Sequence, residues 1–280
     1  MDYLLKHKTL LQIFKRLGLK HPSQRLIIFA FRSFVPKGVC KAWQAQCSIK
    51  PAKLNYTHMR CTVGIWDQER GRIFIAPGST VPHKTQAESS ALKNGKGANQ
   101  LEPGFYQDYQ KGFHLEGSAR GHQALRQTKP QFIRRTEIGI PYTTHDRLLF
   151  SNPHDNLHCA WNLSPDTPGF SSAGCIVVAG QPHLPSEASS GPNRGHWKTF
   201  HEYLYQTKQN RFDLLLLDAP LLKGLLIQNA HRPLVCYGSK GKAVKEIQKK
   251  LIALECYSGP VNSHMDTRCY RAWNTSGFIT

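Results

Sequence analysis

The chain has no long apolar run. Nothing in its 280 residues approaches the roughly 18 consecutive apolar residues needed to span a bilayer, so no integral membrane segment is expected. The opening stretch MDYLLKHKTLLQIFKRLGLK is broken by Lys6, Lys8, Lys15 and Arg16, and no small-residue cleavage site follows. It does not read as a secretory signal. Cys-x-x-Cys pairs are absent as well, which excludes zinc ribbons and thioredoxin-type sites. Acidic residues are scarce: 18 Asp plus Glu face 37 Lys plus Arg, a net charge of +19 with histidines neutral. Such a field favours polyanionic partners. The basic residues are spread along the whole chain, with no zinc-finger, RNA-binding or basic-zipper pattern, so nucleic acid is not expected as a partner.

Eight cysteines are present: Cys40, Cys47, Cys61, Cys159, Cys175, Cys236, Cys256 and Cys269. The last three fall within the final 45 residues, where a small domain could use one bridge. The hydropathy pattern predicts a helix over residues 2–18, then short strands at Leu26–Phe31, Cys61–Trp66, Arg72–Ala76, Gly104–Tyr109, Leu148–Ser151, Cys159–Leu163, Cys175–Ala179 and Leu214–Leu217. The polar stretch from Pro82 to Gly104 reads as a surface loop, and His196–Gln206 as a helix. After a boundary near His231–Tyr237, GSKGKAVKEIQKKLIAL is an amphipathic helix with Val244, Ile247, Leu251 and Leu254 on one face, and a second helix follows at Asp266–Trp273. The expected fold class is α+β: an amphipathic N-terminal helix (1–22), a β-rich domain (23–230) and a small all-helical module (231–280).

One segment concentrates the chemistry. In DNLHCAWNLSPDTPGFSSAGCIVVAG, Cys175 follows four small residues, Ser171 to Gly174, which permit a tight turn with amides exposed beside the sulfur. The β-branched run after it can anchor that turn on a strand. Sixteen residues separate His158 from Cys175, and His158 lies on a separate strand-like piece from which it could act as base. Asp155 and Asn156 are candidates to orient its ring, and His114 and Tyr106 to line the cleft. His154 and His158, four apart with Cys159 adjacent, lack the glutamate of a helical zinc motif, and Pro153 opposes a helix there, so neither metal nor cofactor is expected.

This segment resembles the catalytic motif of the L,D-transpeptidases, in which a histidine precedes Ser/Thr-His-Gly-Cys: His158, Ser172, Gly174 and Cys175 match. LEPGFY resembles the family's Pro-x-Gly-x-Phe strand, and GIWDQERGRIFIAPGST its early hairpin. Ala173 replaces the family's usual histidine, and Val177 stands where Arg or Asn is common. The C-terminal module resembles peptidoglycan-binding domains through Gly238, Gly241, Val244, Ile247, Gln248, Leu251, Thr267 and Trp273. The resemblance implies a β-rich catalytic fold, a thioester at Cys175, and the tetrapeptide stem of peptidoglycan as acyl donor. The amides of Gly174 and Cys175, with Ala173, would hold the oxyanion, and a stabilised thiolate would make Cys175 the fastest cysteine to alkylate. Peptidoglycan is the expected partner and the bacterial periplasm or wall the expected site of action. The missing signal suggests a non-Sec route, such as an antibacterial toxin with a cognate immunity protein. The alternative is a catalytically inactive wall-binding protein.

Overall fold

Leu26–Arg32 is buried along its whole length, as are Cys61–Asp67 and nearly all of Arg211–Leu217. Strands with no polar face must be covered on both sides, so these three belong at the centre of the fold. The computed structural model describes residues 1–38, 40–94, 98–136, 138–187, 189–227 and 234–277. In chain order its elements are β1 (Tyr3–Lys6), α1 (His7–Arg16), β2 (Leu26–Arg32), β3 (Phe34–Pro36), β4 (Gln46–Pro51), β5 (Cys61–Asp67), β6 (Arg72–Ser79), α2 (Lys84–Asn94), β7 (Asn99–Leu101), β8 (Gly104–His114), β9 (His122–Gln127), β10 (Gln131–Arg135), β11 (Arg147–Ser151), β12 (Leu157–Cys159), β13 (Ile176–Val178), α3 (His196–Tyr205), β14 (Arg211–Leu217), α4 (Ala219–Leu226), α5 (Lys242–Ala253) and α6 (Thr267–Thr275). The fold is α+β.

Eight strands close a barrel in the order β12-β13-β6-β5-β2-β14-β8-β9, sealed where Leu125 of β9 meets Leu157 of β12. Two neighbouring pairs, β2–β14 and β12–β13, run parallel. On β5, Gly64 lies opposite Phe29 of β2, and a Cβ there would sit 2.2 Å from the Phe29 ring. The missing side chain is the space that ring fills. Two three-stranded sheets, β1-β4-β3 and β11-β10-β7, flank the barrel.

The N-terminal segment is part of this body. Residues Tyr3–Lys6, expected to be helical, pair with β4 instead, and α1 buries Leu10, Ile13 and Phe14, the last against Trp66 and Phe105 at 5.8 and 5.3 Å. The stretch expected as a surface loop carries α2 and the buried strand β7. The strand expected from Cys159 to Leu163 is displaced upstream, ending at Cys159.

The C-terminal helices share a core with a flanking sheet. Val244, Ile247 and Leu251 of α5 and Tyr270 of α6 pack with Phe132 of β10, whose ring meets Tyr270 at 4.6 Å and Tyr237 at 5.1 Å. Arg134, also on β10, donates to Asn274 of α6 at 2.8 Å. Asp266 caps α6 by accepting from the Cys269 amide at 2.9 Å. Leu254, assigned by the sequence to the buried face, caps α5 and is exposed. All eight cysteines are free thiols, so the bridge allowed for among Cys236, Cys256 and Cys269 is not present. The boundary expected at residues 230–231 lies outside the described residues.

Candidate active site

The parallel pairing of β12 with β13 sets Leu157 opposite Ile176 and His158 opposite Val177. Residues opposite one another point to the same face, and side chains two apart return to it. That register brings His158 and Cys175, the residue just before β13, onto one side. The Cys175 sulfur, one ring nitrogen of His158 and one of His114 all lie within 4.8 Å of one another. His158 Nδ1 is 2.7 Å from the Cys159 carbonyl, which leaves Nε2 as the ring's free nitrogen. The orienting group is therefore a backbone carbonyl, where the sequence suggested Asp155 or Asn156.

The turn before Cys175 is stapled by Ser172, whose hydroxyl donates to the Cys175 carbonyl at 2.7 Å and accepts from the Gly174 amide at 3.2 Å. Gly174 has φ of +145°, and a Cβ would come within 2.6 Å of Asp155 Oδ1. Only glycine fits there. Because its amide is spent on Ser172, Gly174 is not a free oxyanion donor as expected. The amides facing the sulfur are those of Asn156 and Cys175 itself. Ala173 is exposed, and its carbonyl accepts from the Asn99 amide at 3.1 Å.

Burial dominates the electrostatics. It pushes the Cys175 thiol well up, and the nearby Asp155 carboxyl adds to the shift, while the two amides oppose it. Burial, then His114 and His122, holds His158 well below the usual imidazole range. The resting pair is a neutral thiol beside a neutral imidazole. The stabilised thiolate anticipated from the sequence is absent, and with it the reason for fastest alkylation at Cys175, which is only 7 % exposed. Asp155 itself is raised to about 7 by burial, against the pull of Asn99 and Arg135. Its Oδ2 is a buried oxygen without a hydrogen-bond partner.

Comparison with protein-family profiles, curated proteins and solved structures returns no match. The resemblance to the L,D-transpeptidase motif thus rests on the residues themselves.

His114 stacks on His158, with ring centroids 4.1 Å apart and planes at 12°, and its Nδ1 lies 3.1 Å from Asn156 Nδ2. Asn156 thus reaches the site through His114 and through its own amide. Tyr106 is placed elsewhere. It is buried beside Tyr237, with ring centroids 5.5 Å apart, and donates to the Glu102 carbonyl at 2.8 Å. Sequence reasoning missed His122, Asn99 and Arg135. His122 lies directly opposite His114 on the β8–β9 hairpin, and Arg135 Nε donates to Asn99 Oδ1 at 2.9 Å beside Asp155. The turn signal between the two histidines, EGSARG, was the available clue to the first. A cavity of about 520 Å³ lies apart from Cys175, among Arg32, Glu102, Arg134, Tyr142 and Trp273.

Proposed function

We propose that the protein is a cysteine acyltransferase or hydrolase of the L,D-transpeptidase and L,D-carboxypeptidase type, acting on the stem tetrapeptides of bacterial peptidoglycan. The observation that carries this reading is the proximity of the Cys175 sulfur to a ring nitrogen of His158, within 4.8 Å, with Nδ1 of that ring occupied by the Cys159 carbonyl. A cysteine of raised pKa needs a base at the moment of attack, and a neutral, pinned imidazole can serve. Cys175 Sγ bonds to the scissile carbonyl carbon while its proton passes to His158. The Asn156 and Cys175 amides receive the charge that develops on the oxygen. The C–N bond then breaks, His158 returns the proton to the departing D-alanine amine, and a thioester remains on Cys175. Water completes a carboxypeptidase cycle; an amine completes exchange or cross-linking.

The substrate class is supported by the motif around Cys175, by the C-terminal helices that resemble wall-binding modules, and by a net charge of +19 suited to an anionic wall. Action in the periplasm or wall follows from the same reading. Incubation of purified sacculi with the protein and with Cys175→Ala, followed by mass spectrometry of the stem peptides, tests it. Loss or exchange of D-alanine that disappears in the variant supports the enzyme. An unchanged stem profile with retained sacculus binding supports the inactive wall-binding protein instead.

A further inference from the structure

Next to the Cys175–His158 pair lies a second thiol that the proposed reaction does not use. Cys159 is fully buried, and its sulfur is 3.6 Å from Nε2 of His122. One nitrogen or sulfur from each of His122, His158 and Cys159 lies within 4.8 Å of the others. Both histidines direct Nδ1 at a backbone carbonyl, His122 at that of Arg120 (2.8 Å) and His158 at that of Cys159 (2.7 Å). That arrangement fixes the tautomer and leaves Nε2 unprotonated on each ring, as outer-shell partners do for metal-binding histidines. A tetrahedral ion with ordinary Zn–N and Zn–S bonds separates cis nitrogen and sulfur ligands by about 3.5 Å.

The geometry points to a site for one thiophilic divalent transition-metal ion, of the zinc class, held by His122, His158 and Cys159 with a fourth position open. The overlapping trio of His114, His158 and Cys175 is less suited. His114 and His158 stack with their planes only 12° apart, so their in-plane lone pairs lie in near-parallel planes that a single ion cannot share. The His122 ring crosses that of His158 at 68°, so the two ring planes intersect, as a shared ion requires. All three ligands are buried, in a setting where the bound thiolate would be shielded from water and oxidation. Arg120, exposed and laid over Trp161 at 4.5 Å, is the nearest opposing cation; the thiolate formed at Cys159 on binding offsets it. The Trp161 ring also meets His122 at 5.5 Å, so the Arg120–Trp161 pair lies against the His122 side of the site. The site shares His158 with the proposed base, so an ion seated there leaves that ring no lone pair for the Cys175 proton. Metal binding itself does not depend on the proposed activity.

The test is titration of the reduced, chelator-treated full chain with Co²⁺ and then Zn²⁺, followed by absorption spectroscopy. The expected result is one equivalent of Co²⁺ with a thiolate-to-cobalt charge-transfer band, displaced by Zn²⁺ binding tighter than about 1 µM. Cys159→Ser and His122→Gln, each checked for an unchanged metal-free circular dichroism spectrum, abolish the band, while Cys175→Ser keeps it. If one of the first two variants fails to fold, the other decides. No thiolate–cobalt band in the wild-type chain overturns the proposal, as does a band that survives Cys159→Ser and is lost in Cys175→Ser.

Discussion

At the residue scale the site is controlled by what surrounds the sulfur. Asp155 is pressed against Gly174 and raised to about 7, so at neutral pH much of its population is charged and opposes ionisation of Cys175. Replacing it with a neutral isostere removes that opposition and lowers the thiol pKa. At pH 8, Asp155→Asn is expected to speed iodoacetamide labelling of Cys175 roughly three- to tenfold, read by peptide mass spectrometry. In the unmodified chain Cys256, the one exposed cysteine among the eight, labels first. An unchanged Cys175 rate in the variant would mean that burial alone sets its reactivity.

At the element scale, the strands buried on both faces were legible because their apolar runs are continuous. β2, β5, β13 and α3 were placed within a residue at each end, and β14 in its last four residues, starting three residues late. Elements whose burial depends on distant partners were not. β10 carries Arg134, whose burial is compensated by Glu102 at its Nε (3.0 Å), by Asn274 and by the carbonyls of Thr144 and Asp146, contacts that no local pattern displays. α2 has no apolar stripe to announce it; among its described side chains only Ala87 is buried. Cys175 and His158 could be singled out as a pair because one lies directly before β13 and the other on the adjoining β12, at a fixed spacing, whereas His122 required the hairpin register. The same dependence makes β10 the joint between the barrel and the C-terminal helices. Phe132→Ala, at a fully buried ring contacting Phe150, Tyr237 and Tyr270, is expected to cost about 3–5 kcal/mol in urea unfolding. A loss below about 1 kcal/mol would show that the helices do not lean on that sheet.

At the scale of the whole molecule, the excess of cationic charge leaves few acidic groups, and one of them ties the barrel together. Asp67 at the end of β5 is wholly buried and receives Arg25 at 2.8 Å and Arg72 at 3.0 Å. Burial disfavours its charged form, but the two guanidinium groups outweigh that cost and hold the carboxyl below its ordinary range. A depressed folded value means the stabilisation is complete above the unfolded carboxylate range near pH 4 and fades as pH falls through the folded value. Asp67→Asn is expected to lose about 2–3 kcal/mol at pH 7, less than a sealed pair because both arginines remain part-exposed. The gap between variant and wild type should close as pH falls from about 5 towards 2, followed by thermal melts. A gap independent of pH would assign the loss to packing.

In the proposed reaction Cys175 Sγ is the atom that becomes acylated, and capture of that intermediate tests the proposal most directly. The protein is mixed with a synthetic stem tetrapeptide, quenched in acid, and measured by intact and peptide mass spectrometry. The prediction is an added tripeptide acyl group on the Cys175 peptide, absent from Cys175→Ala and strongly reduced in His158→Ala. Release of D-alanine that continues in Cys175→Ala, with no acyl group on that peptide in the wild type, would contradict it.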